Sequence, residues 1–135
     1  MVLLLVARIA GAEALGQIDP AGNLDLLIEE TMTKKDPANW SGGQIPAYTS
    51  SHILFDFLKK LPAADLQSGK YDKALDALEI WQPNYSVDPQ FVYALEVKDG
   101  LTDRAKKFRV AAAKAAPYDA TFLDRADENP QQYLY

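Results

Sequence analysis

The stretch GKYDKALDAL (residues 69–78) is partly repeated as GLTDRAKKFR (residues 100–109), at an offset of 31 residues (100 − 69). The matched pairs are Gly69 and Gly100, Asp72 and Asp103, Lys73 and Arg104, and Ala74 and Ala105. A period of this length is typical of stacked helix pairs. The glycine allows a turn conformation that a Cβ disfavours, and the small alanine lets two antiparallel helices approach closely.

Apolar residues recur at helical spacing along most of the chain, and no stretch alternates apolar and polar residues as a half-buried strand does. The apolar stripes are Leu24/Leu27/Ile28/Thr31, Ile53/Leu54/Phe57/Leu58/Leu61, Ala74/Leu75/Leu78/Trp81, Phe91/Val92/Leu95 and Ala105/Phe108/Ala112/Ala115. The pattern predicts an all-α protein with about six or seven helices.

Several residues predict where these helices begin or break. Ser50 or Ser51 is available as the N-cap of the second stripe, and Asp88 followed by Pro89 supplies an N-cap and a first-turn proline for the fourth. Pro62 either kinks the second helix or starts a new turn, because proline cannot donate the helical hydrogen bond.

With these features in place, the chain resembles the tetratricopeptide family from Val87 to Pro117. Gly100 stands at the turn, Ala105 and Ala112 lie seven residues apart on the second helix, and the closing proline follows five residues later. The resemblance implies a short α-α superhelix of antiparallel helix pairs.

An earlier unit, over residues 55–83, matches the family pattern less well. It keeps Gly69, Tyr71 and Ala74, but Trp81 stands where a small residue is usual. We therefore expect a single helical-repeat domain over residues 1–135, organised as follows. Its parts are a divergent first helix pair (1–37), a loop (38–50), two repeat units (51–83 and 87–117), and a capping helix with a tail (119–135).

The resemblance also implies a binding groove, because members of the family hold a partner protein or peptide along the first helices of their pairs. The groove positions here are Asp56, Lys59, Gln90, Ala94, Val97 and Lys98. Members that grip a C-terminal carboxylate use Lys and Asn where this chain has Gln90 and Ala94, so that activity is not expected. The alternative is that these six residues form an ordinary solvated surface.

Two other segments are candidate contact surfaces. The loop over residues 38–50 carries Trp40 and Tyr48, which offer aromatic contact area to a partner or pack on the helices. The helix after Gly100 carries the basic residues Arg104, Lys106, Lys107, Arg109 and Lys114. We interpret these bases as a solvated helix exterior, with an anionic partner or membrane surface as the alternative.

Composition excludes several classes of function. The chain has a net charge of −5, which argues against nucleic-acid binding through phosphate contacts. It contains no cysteine and only one histidine, His52, so it has neither thiolate metal sites nor a zinc site with several imidazole ligands. No cofactor, metal or catalytic residue is predicted, and a capping or neutral role is expected for His52.

The N-terminus is the remaining ambiguous segment. Residues 1–16 have an apolar run, but Arg8 interrupts it and no positive charge precedes it, so we read a buried first helix. A trimmed signal or membrane segment is the alternative, and a cytoplasmic location is favoured over an exported or membrane-associated one.

Three functions are compatible with these features. The first is a protein–protein interaction or scaffold module, and the second is an accessory subunit of a larger assembly attached through residues 1–16. The third is an enzyme of unfamiliar type near His52 and the 38–50 loop.

Overall fold

The computed structural model describes residues 19–32, 46–80, 86–115 and 120–134. Seven α-helices and one 3-10 helix lie in these ranges, which contain no strand. This confirms the all-α prediction and the predicted number of helices. Among the described helices, none combines the length and the apolar character needed to cross a membrane.

The described helices are named in chain order. They are α1 (Leu24–Met32), α2 (Pro46–Lys59), α3 (Ala63–Gln67), α4 (Asp72–Glu79), α5 (Pro89–Lys98), α6 (Thr102–Ala115), α7 (Ala120–Glu128) and the 3-10 helix (Pro130–Tyr133).

The start of α2 differs from the prediction. The helix begins at Pro46, a residue that suits the first helical position because its missing N–H is not needed there. Ser50 and Ser51 are therefore buried inside the helix and are not its N-cap. The loop predicted over residues 38–50 is helical in its last five residues, and residues 38–45 lie outside the described part of the chain.

Pro62 separates α2 from α3. Of the two predicted alternatives, a kinked helix or a new turn, the structure has the new turn. The last turn of α2 tightens, with the N–H of Leu61 bonded to the carbonyl of Leu58 at 3.1 Å. Pro62 then adopts an extended conformation, with φ −60° and ψ 145°, and α3 begins at the next residue. The first helix of the first repeat unit is therefore broken in two.

The two glycines of the internal repeat share one backbone conformation. Gly69 has a φ of 87° and Gly100 a φ of 74°, both in the left-handed region that favours glycine. After α5, the N–H of Gly100 bonds to the carbonyl of Val97, and the N–H of Leu101 bonds to that of Glu96. This pair of bonds is a Schellman motif, so Gly100 ends α5 as predicted.

The core contains the predicted stripes except Trp81 and the side chain of Ala115, which lie outside the described part of the structure. Leu27 and Thr31 of α1, and Leu54 and Leu58 of α2, are fully buried. Helix α1 packs against α2 and α4. The alanines at matching positions of the repeat, Ala74 and Ala105, are also buried, which is consistent with close helix approach at both turns.

Helix α5 is the centre of the C-terminal half. It contacts α4, α6, α7 and the 3-10 helix. The ring of Phe91 on α5 lies edge-on against Phe55 of α2 and against Tyr133 of the 3-10 helix, with centroids 6.4 and 5.5 Å apart. Neighbours on several sides leave little of α5 facing solvent, and this placement determines which of its residues are accessible.

Candidate functional site

The six predicted groove residues do not form one open surface. Asp56 and Lys98 are exposed, and Val97 is half-buried. Ala94, however, has no exposed surface, and Gln90 keeps only 9% of its surface. The prediction that these two residues line an accessible groove is wrong.

The physical reason is the crowding around α5. A helix with partners on several sides buries residues that would face a groove if only one side were covered. Seven of the ten residues of α5 are buried, including Gln90 and Ala94. On α2, Lys59 pairs with Asp56 at 3.1 Å and lies over the Phe55 ring, so these two groove residues contact each other within their own helix.

The other predicted contact residues add no site. Trp40 lies outside the described residues, and Tyr48 lies in the first turn of α2, with only its backbone described. His52 lies in the second turn of α2 and is half-buried, so it does not cap the helix. Burial lowers the pKa of His52, although Asp56 and Asp88 act in the opposite direction.

Two of the five bases on α6 turn toward acids of the same chain. Arg109 pairs with Asp124 and Asp127 of α7, and its guanidinium lies over the Tyr93 ring at 5.5 Å. The Tyr93 hydroxyl donates a hydrogen bond to Asp127. This network ties α5, α6 and α7 together, so Arg109 is not part of a free basic surface.

Arg104 makes the second inward contact and organises the candidate site. Its Nη1 lies 2.7 Å from Asp76 Oδ1 and 2.6 Å from Glu79 Oε1, and its Nη2 lies 3.7 Å from Asp72 Oδ1. All three acids belong to α4, whose helical spacing of three and four residues places them on one face. Only 22% of the Arg104 side chain is exposed.

A cleft of about 320 Å³ opens between α4 and α6 at this point, lined by Asp76, Glu79, Arg104 and Lys107. We call it the charged cleft. Burial lowers the pKa of Arg104, but the nearby Asp76 and Glu79 raise it by more, so the guanidinium stays charged. Burial raises the pKa of Glu79 and outweighs the opposite effect of Arg104.

Glu96 of α5 lies on the buried side of this cleft. Its side chain is fully buried, and its carboxyl hydrogen-bonds to the carboxyl of Glu79. Burial first, and the adjacent Glu79 second, raise the pKa of Glu96 from 4.5 to about 9. The Glu96 carboxyl is therefore neutral at pH 7.

The pair Glu79 and Glu96 can hold and release one proton. Two neighbouring carboxyls resist double ionisation, and the more buried one keeps the proton. Carboxyls whose pKa is raised by burial and by a neighbouring carboxyl are often found at functional sites. Glu96 is shielded from solvent, whereas Glu79 lines the cleft.

The chain matches no protein-family model, no curated protein and no solved structure. The resemblance to the tetratricopeptide family thus stays a prediction.

The charged cleft and the buried Glu96 beside it were not predicted, although the sequence contains a signal for Glu96. The sequence of α5 is PQFVYALEVK, in which apolar residues occupy every side of the helix. A helix that is apolar all round is buried, so its single glutamate, Glu96, had to be buried with it.

Proposed function

We propose that the protein is a non-catalytic interaction module that docks another protein at the charged cleft. One observation carries this proposal. The cleft combines an exposed charged rim, Asp76 and Lys107, with the partly buried ion pair of Arg104 and Glu79. Such a site offers a partner steering charges of both signs.

The internal repeat supports the same class of function. The two turns share a positive φ at glycine and a buried alanine on the following helix, and the ion pairs of Arg104 join α4 to α6 at the cleft. Stacked helix pairs expose faces that serve as docking surfaces in many repeat proteins.

The test is affinity capture from a lysate of the source cells, with the whole chain as bait. The cleft variant carries Asp76→Lys with Lys107→Glu, and the control variant carries Asp65→Lys with Lys60→Glu. All four residues are exposed, and both variants keep the net charge of the protein. Gln90→Glu and Ala94→Glu are unsuitable, because charges at these buried positions would unfold the bait.

A discrete partner that the wild type and the control variant retain, and that the cleft variant loses, is the expected result. A partner held equally by all three baits would contradict docking at the cleft. If deletion of residues 1–16 removes that partner instead, the accessory-subunit hypothesis replaces this one.

A further inference from the structure

Helix α6 has one face that no described element covers. The helix contacts α5 and α7, and its residues Ala105, Phe108 and Ala112 are buried in the core. On its other side, exposed residues recur at the spacing of one helix face. We call them the lysine face, and they are Lys106, Lys107, Val110, Ala111 and Lys114.

The lysine face concentrates unpaired positive charge on an acidic protein. The other two bases of α6 are paired with acids of α4 and α7, whereas none of the ion pairs among the described residues includes a lysine of this face. One acid, Asp103, lies on the same side, in the first turn of the helix. The whole chain has 19 acids against 14 bases, so this local excess of cations runs against its composition. An anionic group therefore gains Coulomb energy at the lysine face.

The lysine face also has an apolar centre. Val110 is 59% exposed, more than any other large apolar residue in the described part of the chain. Ala111 beside it is small, so another helix can approach closely at this point. Lys106 precedes Val110 by about one turn and Lys114 follows it by about one turn, which puts the two lysines about 12 Å apart along the helix axis. A short apolar patch thus lies between cations at both of its ends.

We propose that the lysine face binds an acidic amphipathic helix of a partner protein. Such a helix sets an apolar side chain on Val110 and Ala111, and carboxylates about two turns apart pair with Lys106 and Lys114. The lysine face shares only Lys107 with the charged cleft, so this inference does not depend on the docking function proposed above.

Two other anionic partners fit this face less well. Nucleic acid binds through many phosphate contacts, and a chain of net charge −5 with a single basic helix face is poorly suited to them. A helix that lies on an anionic membrane inserts several large apolar side chains beside its bases, and the lysine face has one, Val110.

The experiment is an NMR titration of the full chain with the helical peptide acetyl-EEAALAAAEEAALAAAEE-amide. This peptide spaces pairs of glutamates at the interval between Lys106 and Lys114 and places leucine between them. The matched probe has glutamine in place of every glutamate, which keeps the shape and removes the charge. The readout is the set of backbone amide shifts along α6, recorded at about 50 mM and about 300 mM NaCl.

The acidic peptide is expected to give saturable shifts centred on Val110. Its Kd should rise about fivefold from the lower to the higher salt concentration, because salt screens exposed charge pairs. Val110→Ser should weaken binding about threefold at both salt concentrations, because it removes apolar contact and leaves the charges in place.

A charge-reversal variant locates the binding site. Lys106→Glu with Lys114→Glu should weaken binding about tenfold at the lower salt concentration. Lys60→Glu with Lys70→Glu is the matched control, since these lysines are also exposed and the two variants have the same net charge. The control should change Kd less than about twofold. Both variants keep Lys107, so the rim of the charged cleft is unaltered.

Equal shifts with the glutamine peptide would overturn the proposal, and that comparison needs no variant. So would the absence of saturable shifts on α6, or an equal loss of affinity in both charge-reversal variants, which would show that only total charge matters. Phosphatidylserine vesicles that bind through Lys106 and Lys114, without binding of the peptide, would replace the partner helix with a membrane surface.

Discussion

At pH 7 the side chain of Glu96 carries a proton in the folded protein, because its pKa is about 9, whereas in the unfolded chain it ionises near 4.5. The folded state therefore binds more protons between these two values. We predict that the free energy of unfolding falls as pH rises from about 4.5 to about 9, by at most about 1.4 kcal/mol per pH unit for this group. Urea denaturation at several pH values measures the slope.

The variant Glu96→Gln isolates this effect, because glutamine keeps the shape and does not titrate. It should flatten the slope and stabilise the protein above about pH 7, where keeping Glu96 neutral costs the wild type free energy. Glu128→Gln, at an exposed position of α7, is the control and should leave the slope unchanged. An unchanged slope in Glu96→Gln would show that Glu96 is not the titrating group.

Single polar residues were the hardest part of the site to predict. Arg104 lies in a run of bases that helical periodicity assigns to a solvated exterior, yet most of its side chain is buried against acids of α4. Glu96 is buried because α5 is surrounded. Both outcomes depend on which helices pack together, and spacing within one helix does not contain that information.

The turns at Gly69 and Gly100 permit a comparison between elements. Both have positive φ, so alanine at either position is strained by about 1–2 kcal/mol. A Cβ on Gly69 would meet its nearest atom, Asp72 Oδ2, at 3.6 Å, whereas one on Gly100 would lie 3.0 Å from Gln67 Nε2. We predict that both substitutions destabilise the fold and that Gly100→Ala costs more, as measured by urea denaturation.

The larger cost expected for Gly100→Ala comes from the contact of the added Cβ with Gln67, and a second variant tests this explanation. Gln67 Nε2 donates a hydrogen bond to the Asp99 carbonyl at 2.7 Å, which links the end of α3 to the end of α5. When Gln67 is replaced by alanine, the Cβ added at position 100 no longer meets the Gln67 side chain. In that background, Gly100→Ala should lower the free energy of unfolding by the same amount as Gly69→Ala. Additive effects of the Gln67 and Gly100 substitutions would contradict this explanation.

Element boundaries were predictable where local chemistry decides them and not elsewhere. Pro62, Gly100 and Pro89 act within one turn of backbone, and the helices break or begin at these residues as expected. Asp88 occupies the predicted N-cap position, but its side chain makes no capping hydrogen bond. The start of α2 was placed at Ser50 or Ser51, but the helix continues back to Pro46. Proline suits the first helical position, which favours this earlier start.

On the scale of the whole molecule, the C-terminal segment joins the last residues of the chain to its centre. The 3-10 helix packs on α5 and α7, and Tyr133 contacts the Phe91 ring edge-on. Leu134 is 7% exposed. Phe91 in turn contacts Phe55 of α2, so a row of rings connects the tail to both halves of the described structure.

This connection predicts how the molecule unfolds. Leu134→Ala should destabilise the whole protein by about 2–3 kcal/mol, because removing a buried side chain leaves a cavity in the shared hydrophobic core. Gln131→Ala, at an exposed position of the same segment, is the matched control and should cost far less. Urea denaturation followed by amide signals of α1 and of α7 should give coincident midpoints in the wild type and in both variants. If α7 in Leu134→Ala unfolds at lower urea than α1, the tail stabilises only its own neighbourhood, and the two halves of the molecule fold as separate units.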